Sequence, residues 1–173
     1  MSTLTIYSGG QTGVDQAALR AAKRCGLPTG GWAPYGFNTA DGPDESLRDF
    51  GLRECDQPGY TLRTHLNVRD ADATIRLAHN FSTAGERCTL RAILHFNKPY
   101  LDVHHRWPQS PQEVAIWICA NAPTILNVAG NSEDHCRGIG AWAEVYLTEV
   151  LEHVRKLRLG GMGQASRTTP GEA

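Results

Sequence analysis

No run in this chain approaches the roughly 18 consecutive apolar residues of a membrane-spanning helix, so no such helix is expected. Basic residues do not outnumber acidic ones: 17 Lys and Arg stand against 18 Asp and Glu, a formal net charge of -1. A nucleic-acid-binding surface normally shows as a basic excess, so nucleic acid is not an expected partner. The first residues lead straight into a strand-like segment, without the basic region and apolar run of a secretory leader. The expected compartment is the cytoplasm. The five cysteines, Cys25, Cys55, Cys88, Cys119 and Cys136, include no CxxC pair. Structural zinc sites draw their ligands from such close pairs, so no protein-bound metal is expected, and reduced thiols fit the cytoplasm. No internal repeat occurs.

What is there is an ordinary globular balance, 40% hydrophobic and 20% charged residues over 173 positions. That is enough for one domain with a substantial core. Hydrophobic periodicity alternates strand and helix. Strands are predicted over 4–8, 28–32, 73–78, 99–103 and 124–128, and helices over 14–25, 61–69, 88–96, 112–121 and 139–158. Ala17, Ala18, Ala21, Ala22 and Cys25 form a small-residue face suited to close packing on a sheet. Leu90, Ile93 and Leu94 lie on one side of the helix 88–96, and Val114, Trp117 and Ile118 point inward from the helix 112–121. The last helix presents Ala143, Tyr146, Leu147, Val150, Val154 and Leu157. Residues 33–59 read as a long irregular loop of the functional or flexible kind, and 160–173 as a disordered C-terminal tail. The alternation predicts an α/β class: a single Rossmann-like domain over 1–159, with a mostly parallel sheet and helices on both faces.

In such a sheet, ligands gather beyond the carboxyl ends of the strands. Three of those ends lead into loops rich in Gly, Ser, Thr and Asn: GGQTG, HNFSTAGER and AGNSEDHCRGIG. The first, Gly9, Gly10, Gln11, Thr12 and Gly13, lacks known signatures. Val14 and Asp15 stand where a P-loop needs Gly-Lys, and Ser8 stands where a dinucleotide pattern needs glycine. Near Ala33 there is no acid for a cofactor ribose, which argues against a nicotinamide dehydrogenase. Glycines still allow a ligand to approach the backbone, and amides at a helix N-terminus attract an anion. Asp15 has two readings: a first-turn carboxylate favoured by the helix dipole, or a group that contacts a ligand or holds the loop by accepting amides. Arg63, Asn67, Arg69, Asp70 and Asp72 crowd the stretch before a strand and read as a polar helix end at the wrong edge of the sheet. Cys88 reads as a buried thiol in a first helical turn. His104 and His105, adjacent in a strand, face opposite ways. Glu133, Asp134 and His135 read as a solvated loop.

Four motifs in order, SGGQTGVD (8–15), GGWAPYGFNTADGP (30–43), RTHLNVRDADAT (63–74) and LNVAGNSE (126–133), resemble those of the putative molybdenum carrier family. That family is a circularly permuted branch of the SLOG superfamily, which also holds the LOG-type cytokinin-activating phosphoribohydrolases. The resemblance covers roughly residues 4–150. It implies a Rossmann-like domain that forms homo-oligomers and binds a small phosphorylated ligand, either molybdenum cofactor or a nucleotide. On this resemblance the Gly9–Gly13 loop cradles phosphate with Asp15 beside it, and Gly30, Gly31 and Trp32 line the same crevice. Thr83, Gly85, Thr89, Gly130 and Asn131 complete the expected ligand site.

The chain also departs from that family. Its usual Gly-Gly-Thr turn reads STAGERCT here: Gly85 and Thr89 survive, while Glu86 replaces the threonine. A carboxylate there opposes phosphate unless Arg87 offsets it. The glutamate that follows the turn in LOG-type hydrolases is missing, since Leu90, Arg91 and Ala92 follow Thr89. That removes a general acid. Gln16 and Tyr35 stand where the family often has a basic residue. Binding or carrying is therefore expected over catalysis. The alternative is a LOG-like phosphoribohydrolase cleaving the N-glycosidic bond of a nucleoside monophosphate, for which Asp15, Asp41 and Glu86 are the catalytic candidates.

Overall fold

The computed structural model describes residues 3–165. The elements run β1 (Thr5–Tyr7), α1 (Val14–Arg24), β2 (Thr29–Ala33), β3 (Asn38–Thr39), β4 (Gly42–Pro43), β5 (Leu52–Glu54) and α2 (Thr61–Asp70). They continue with β6 (Ala73–Ala78), α3 (Ala84–Phe96), β7 (Tyr100–His104), α4 (Pro111–Asn121), β8 (Ile125–Gly130) and α5 (Ile139–Ala165). Six strands form one parallel sheet in the order β5-β2-β1-β8-β6-β7. The remaining pair, β3 and β4, is a small antiparallel hairpin. Among the described residues, no helix is long and apolar enough to cross a membrane.

Side-chain alternation sorts the layers. All six residues of β6 are buried, as expected for a strand covered on both faces. Ala73, Ile75 and Leu77 join the main core with α1, α4 and α5. On the other face, Val68 of α2 packs with Ala92 and Ile93 of α3. Ala17, Ala18, Ala21 and Ala22 are buried as predicted and let α1 lie close against α5.

Several expectations need correcting. The stretch 33–59 is not an irregular loop. It holds two 3-10 turns (Tyr35–Phe37 and Glu45–Phe50), the β3–β4 hairpin, and β5 at the sheet edge. Phe37, Leu47 and Leu52 from this stretch pack with Leu19 and Ala33 into a second small core. With only three residues, β5 has too little pattern to be recognised. Helix α3 starts at Ala84, ahead of the predicted 88, with Thr83 as its N-cap; its polar first turn hides it from an apolar-period reading. Cys88 therefore lies beyond the first turn. Thr89, Ala92 and Ile93 are buried, and Leu94 is turned out at 64% exposure. Leu157 is likewise exposed, and Val154 is the last buried residue of α5 up to position 160. Helix α5 runs past the predicted 158 to Ala165, and residues 166–173 of the predicted tail lie outside the described residues.

One carboxylate fixes where β6 and β8 begin. Asp72 Oδ2 accepts from the amides of Thr124 (2.8 Å) and Ile125 (2.9 Å), and the Asp72 amide donates to the Ile125 carbonyl (2.9 Å). Asp72→Ala is expected to destabilise the fold by about 1–3 kcal/mol through loss of hydrogen bonds to a charged acceptor. Urea unfolding checks this as a lower midpoint at unchanged slope.

Candidate functional site

The carboxyl ends of β1, β6 and β8 meet around a cavity of about 500 Å³. Its wall takes Gln11 and Asp15 from the turn into α1, Ala40 from the β3–β4 hairpin, and Tyr60, Thr61, Arg63 and Thr64 from the start of α2. Thr83 to Glu86, with Cys88 and Thr89, come from the start of α3, and Ala129 to Ser132, with Asp134 and His135, from the end of β8. Of the residues predicted for the site, Gln11, Asp15, Thr83, Gly85, Glu86, Thr89, Gly130 and Asn131 reach this wall.

The opening loop is built differently from a free phosphate cradle. The Gln11 amide donates to Asp15 Oδ2 (3.3 Å), the Thr12 amide to Gln11 Oε1 (2.9 Å), and the Val14 amide to the Asn131 carbonyl (3.2 Å). Gln11 Oε1 also accepts from the Ala40 amide (2.8 Å), which ties the hairpin to the loop. Its glycines serve close packing. A Cβ on Gly10 would lie 2.8 Å from Leu47, and one on Gly13 2.5 Å from the Asn131 carbonyl. Both have positive φ, at 77° and 90°, which only glycine adopts cheaply. Thr12 is buried, and its hydroxyl has no hydrogen-bond partner.

Arg63, which reads from the sequence as part of a polar helix end at the wrong edge, lines the cavity. Helix α2 precedes β6 in a parallel crossover, so its N-terminus lies at the carboxyl edge of the sheet, on the site. Arg63 Nη1 donates to Asp15 Oδ2 at 2.8 Å, with side-chain exposures of 13% and 3%. Its Nε is buried without an acceptor. Burial pushes the Asp15 carboxyl above its ordinary pKa, and the Arg63 charge opposes that rise. Asp15 therefore stands in the first turn of α1 and holds the loop by accepting an amide, as anticipated, and it also lines the cavity.

Glu86 sits deeper, at 2% exposure. Its Oε1 accepts from Asn131 Nδ2 at 3.4 Å, and its Oε2 has no hydrogen-bond partner. The expected compensator, Arg87, is exposed and turned to the Ser82 carbonyl. Arg76 of β6 lies nearest instead, with Nη1 at 3.6 Å from Oε2. That guanidinium is already held by Asp102, through Nε at 2.8 Å and Nη2 at 2.6 Å. Burial pushes the Glu86 carboxyl up to about 7; Arg76 opposes the rise, and Asp15 and Asp102 add to it. Asn131 knits the loops together, because its Oδ1 accepts from the amides of His79 and Asn80 (both 3.0 Å).

Other predicted residues lie elsewhere. Gly30 packs on the Tyr7 ring and Gly31 on the Ser8 carbonyl; neither is on the cavity wall. The Trp32 indole donates to Asp70 Oδ2 (2.8 Å), and its backbone is held by Asn67. Asn67 and Asp70 of the polar helix end thus position β2. Asp41 is exposed in the hairpin turn, off the wall. Glu133 caps the chain at Gly138 and Gly140 (2.7 and 2.8 Å). Among the described residues, no cluster of three or more His, Cys, Asp or Glu is arranged to hold a metal ion.

The raised pKa of Glu86 sets a pH dependence of stability. Below the unfolded value near 4.5 both states carry the proton and burial costs nothing extra. As pH rises toward about 7, the unfolded chain has released the proton that the folded chain retains, so stability falls. Glu86→Gln never ionises. It is expected to be more stable than the parent by up to about 3 kcal/mol near pH 8, with no such gain near pH 4. Chemical denaturation at the two pH values checks this.

Residues 6–151 match the model of the circularly permutated YpsA SLOG family. No curated protein matches the sequence. Among solved structures, the crystal structure of a "Putative molybdenum carrier protein" from Syntrophus aciditrophicus SB is similar at 30% identity and a TM-score of 0.74. The match covers 88% of this chain and 95% of that one. The family match starts within β1 and ends within α5, and so spans every residue of the cavity wall. The chain belongs to the circularly permutated YpsA family of SLOG proteins.

Proposed function

We propose that the chain binds a small phosphorylated heterocycle in this cavity, either a nucleotide or the phosphorylated pterin of molybdenum cofactor, and carries it rather than transforming it. The observation that carries this reading is the Arg63 guanidinium: largely buried on the wall, with an Nε that has no acceptor. A phosphate oxygen supplies such an acceptor. Beside it, α2 starts at Thr61 behind an N-cap residue, Tyr60, that makes no side-chain cap, and the amides of a first helical turn favour an anion. On this reading the phosphate sits on Arg63 and the start of α2 rather than on the Gly9–Gly13 loop, in which the Gln11 and Thr12 amides are taken, as is that of Val14 just beyond it. The cavity volume lies within the range of small-molecule sites, roughly 300–1,000 Å³. The description of the Syntrophus relative as a molybdenum carrier favours the pterin.

A second reading, hydrolysis of a nucleotide N-glycosidic bond, is favoured by one observation: two buried carboxylates, Asp15 and Glu86, line the same cavity. Of the three acids predicted for that chemistry, Asp41 drops out by position.

Thermal shift and native mass spectrometry with AMP, GMP and molybdenum cofactor test the binding reading. At least one ligand is expected to bind, and Arg63→Met to weaken it roughly tenfold or more through loss of a charge-assisted hydrogen bond. If none of them binds, the reading fails. Chromatography of AMP incubated with pure protein separates the second reading: free base that Asp15→Asn abolishes supports hydrolysis, and absence of free base rules it out.

A further inference from the structure

Glu86 presents an unusual balance of charge and hydrogen bonding. Its side chain is buried against the cavity floor, yet Oε2 has no hydrogen-bond partner. The one cation beneath it, Arg76 of β6, is committed elsewhere. Asp102 of β7 holds two prongs of the guanidinium, and the third nitrogen donates to the backbone carbonyl of Glu86 itself (3.1 Å). One guanidinium thus faces two carboxylates, and Asp102 has the better geometry.

The other charged groups around the cavity do not supply the missing cation. Asp15 of α1 is a further carboxylate, and its partner Arg63 of α2 is engaged with it. Asp134 adds another acid on the far wall, beside His135. Arg87, on the same helix as Glu86, is turned to the Ser82 carbonyl. A phosphorylated ligand brings more negative charge into this setting.

We infer that Glu86 meets the ligand as a neutral carboxylic acid, its Oε2 hydroxyl donating a hydrogen bond to an acceptor atom on the phosphorylated heterocycle. The inference rests on the binding role proposed above. Asn131 Nδ2 donates to Oε1, so Oε1 is the acceptor of the pair and Oε2 the oxygen that carries the proton. Burial moves the acid the same way, to about 7. A buried hydroxyl with no partner costs free energy until something accepts from it; the ligand supplies that acceptor. The donor exists only while the proton stays on Glu86.

Titration calorimetry with GMP from about pH 6.5 to 9, on the parent and on Glu86→Gln, tests the inference. Parent affinity is expected to fall about tenfold per pH unit once Glu86 has ionised. Glu86→Gln keeps an N–H donor at all pH values and escapes that fall, binding more tightly than the parent near pH 9. Ionisation of the ligand phosphate is common to both proteins and cancels in the comparison. Parent affinity that is flat with pH, or an equal fall in both proteins, overturns this inference alone. No binding of GMP, AMP or molybdenum cofactor at any pH overturns it together with the binding role, and if only one of the three binds, the same comparison of parent and Glu86→Gln with that ligand decides the inference. Carboxyl-detected NMR of the ligand-free parent guards against a variant that misfolds. Glu86 titrating well above the usual glutamate range supports the inference, and titration within that range overturns it.

Discussion

Arg76 stands in the middle of β6, the strand buried over its whole length, and its charge has to be satisfied inside the protein. The sheet register does most of this. Arg76 pairs with Asp102 across β6 and β7, so a two-pronged ion pair forms within the sheet itself. The rings of Phe81 and Tyr100 lie 5.0 and 5.5 Å from the guanidinium carbon, within cation–π range. The remaining nitrogen binds the backbone of Glu86 and so fixes the first turn of α3. The edge strand β7, its neighbour β6 and a helix start are thus pinned by one side chain. The floor of the cavity is set by that pin, and so is the poor electrostatic position of Glu86.

Above that floor, the walls are held by polar ties rather than by apolar packing. Gln11 binds its own loop and the β3–β4 hairpin through one oxygen. Asn131 joins the ends of β6 and β8 and touches Glu86. Arg63 and Asp15 close the gap between α1 and α2. Each of these groups both makes the wall and faces the space inside it, so the shape and the chemistry of the cavity come from the same side chains.

The layout of the fold was legible because its main signals are long. The six-residue strand β6 has the bounds expected of it, and the alanine face of α1 is buried as its spacing implies. Short or polar elements were not legible: β5 offers one buried residue in three, and the first turn of α3 reads Ala-Gly-Glu-Arg. For the site, the strand-end rule found the loops that supply most of the wall. It missed Arg63, because the stretch was judged by the strand it precedes rather than by the helix it begins. The link from Arg76 to Glu86 was equally hidden. A lone arginine in a strand reads as solvent-facing until the register shows Asp102 beside it.

Gly9 lies directly under the Arg63 guanidinium, where an added Cβ would come within 1.6 Å of Nη1. Its φ lies outside the left-handed region, so the backbone itself would accept any residue; only the room taken by Arg63 demands glycine. The two positions therefore share one allotment of space. Any side chain at residue 9 would have to push the Arg63 guanidinium aside and so loosen its ion pair with Asp15, which makes the absence of one atom at residue 9 a condition for the charge balance of the cavity wall.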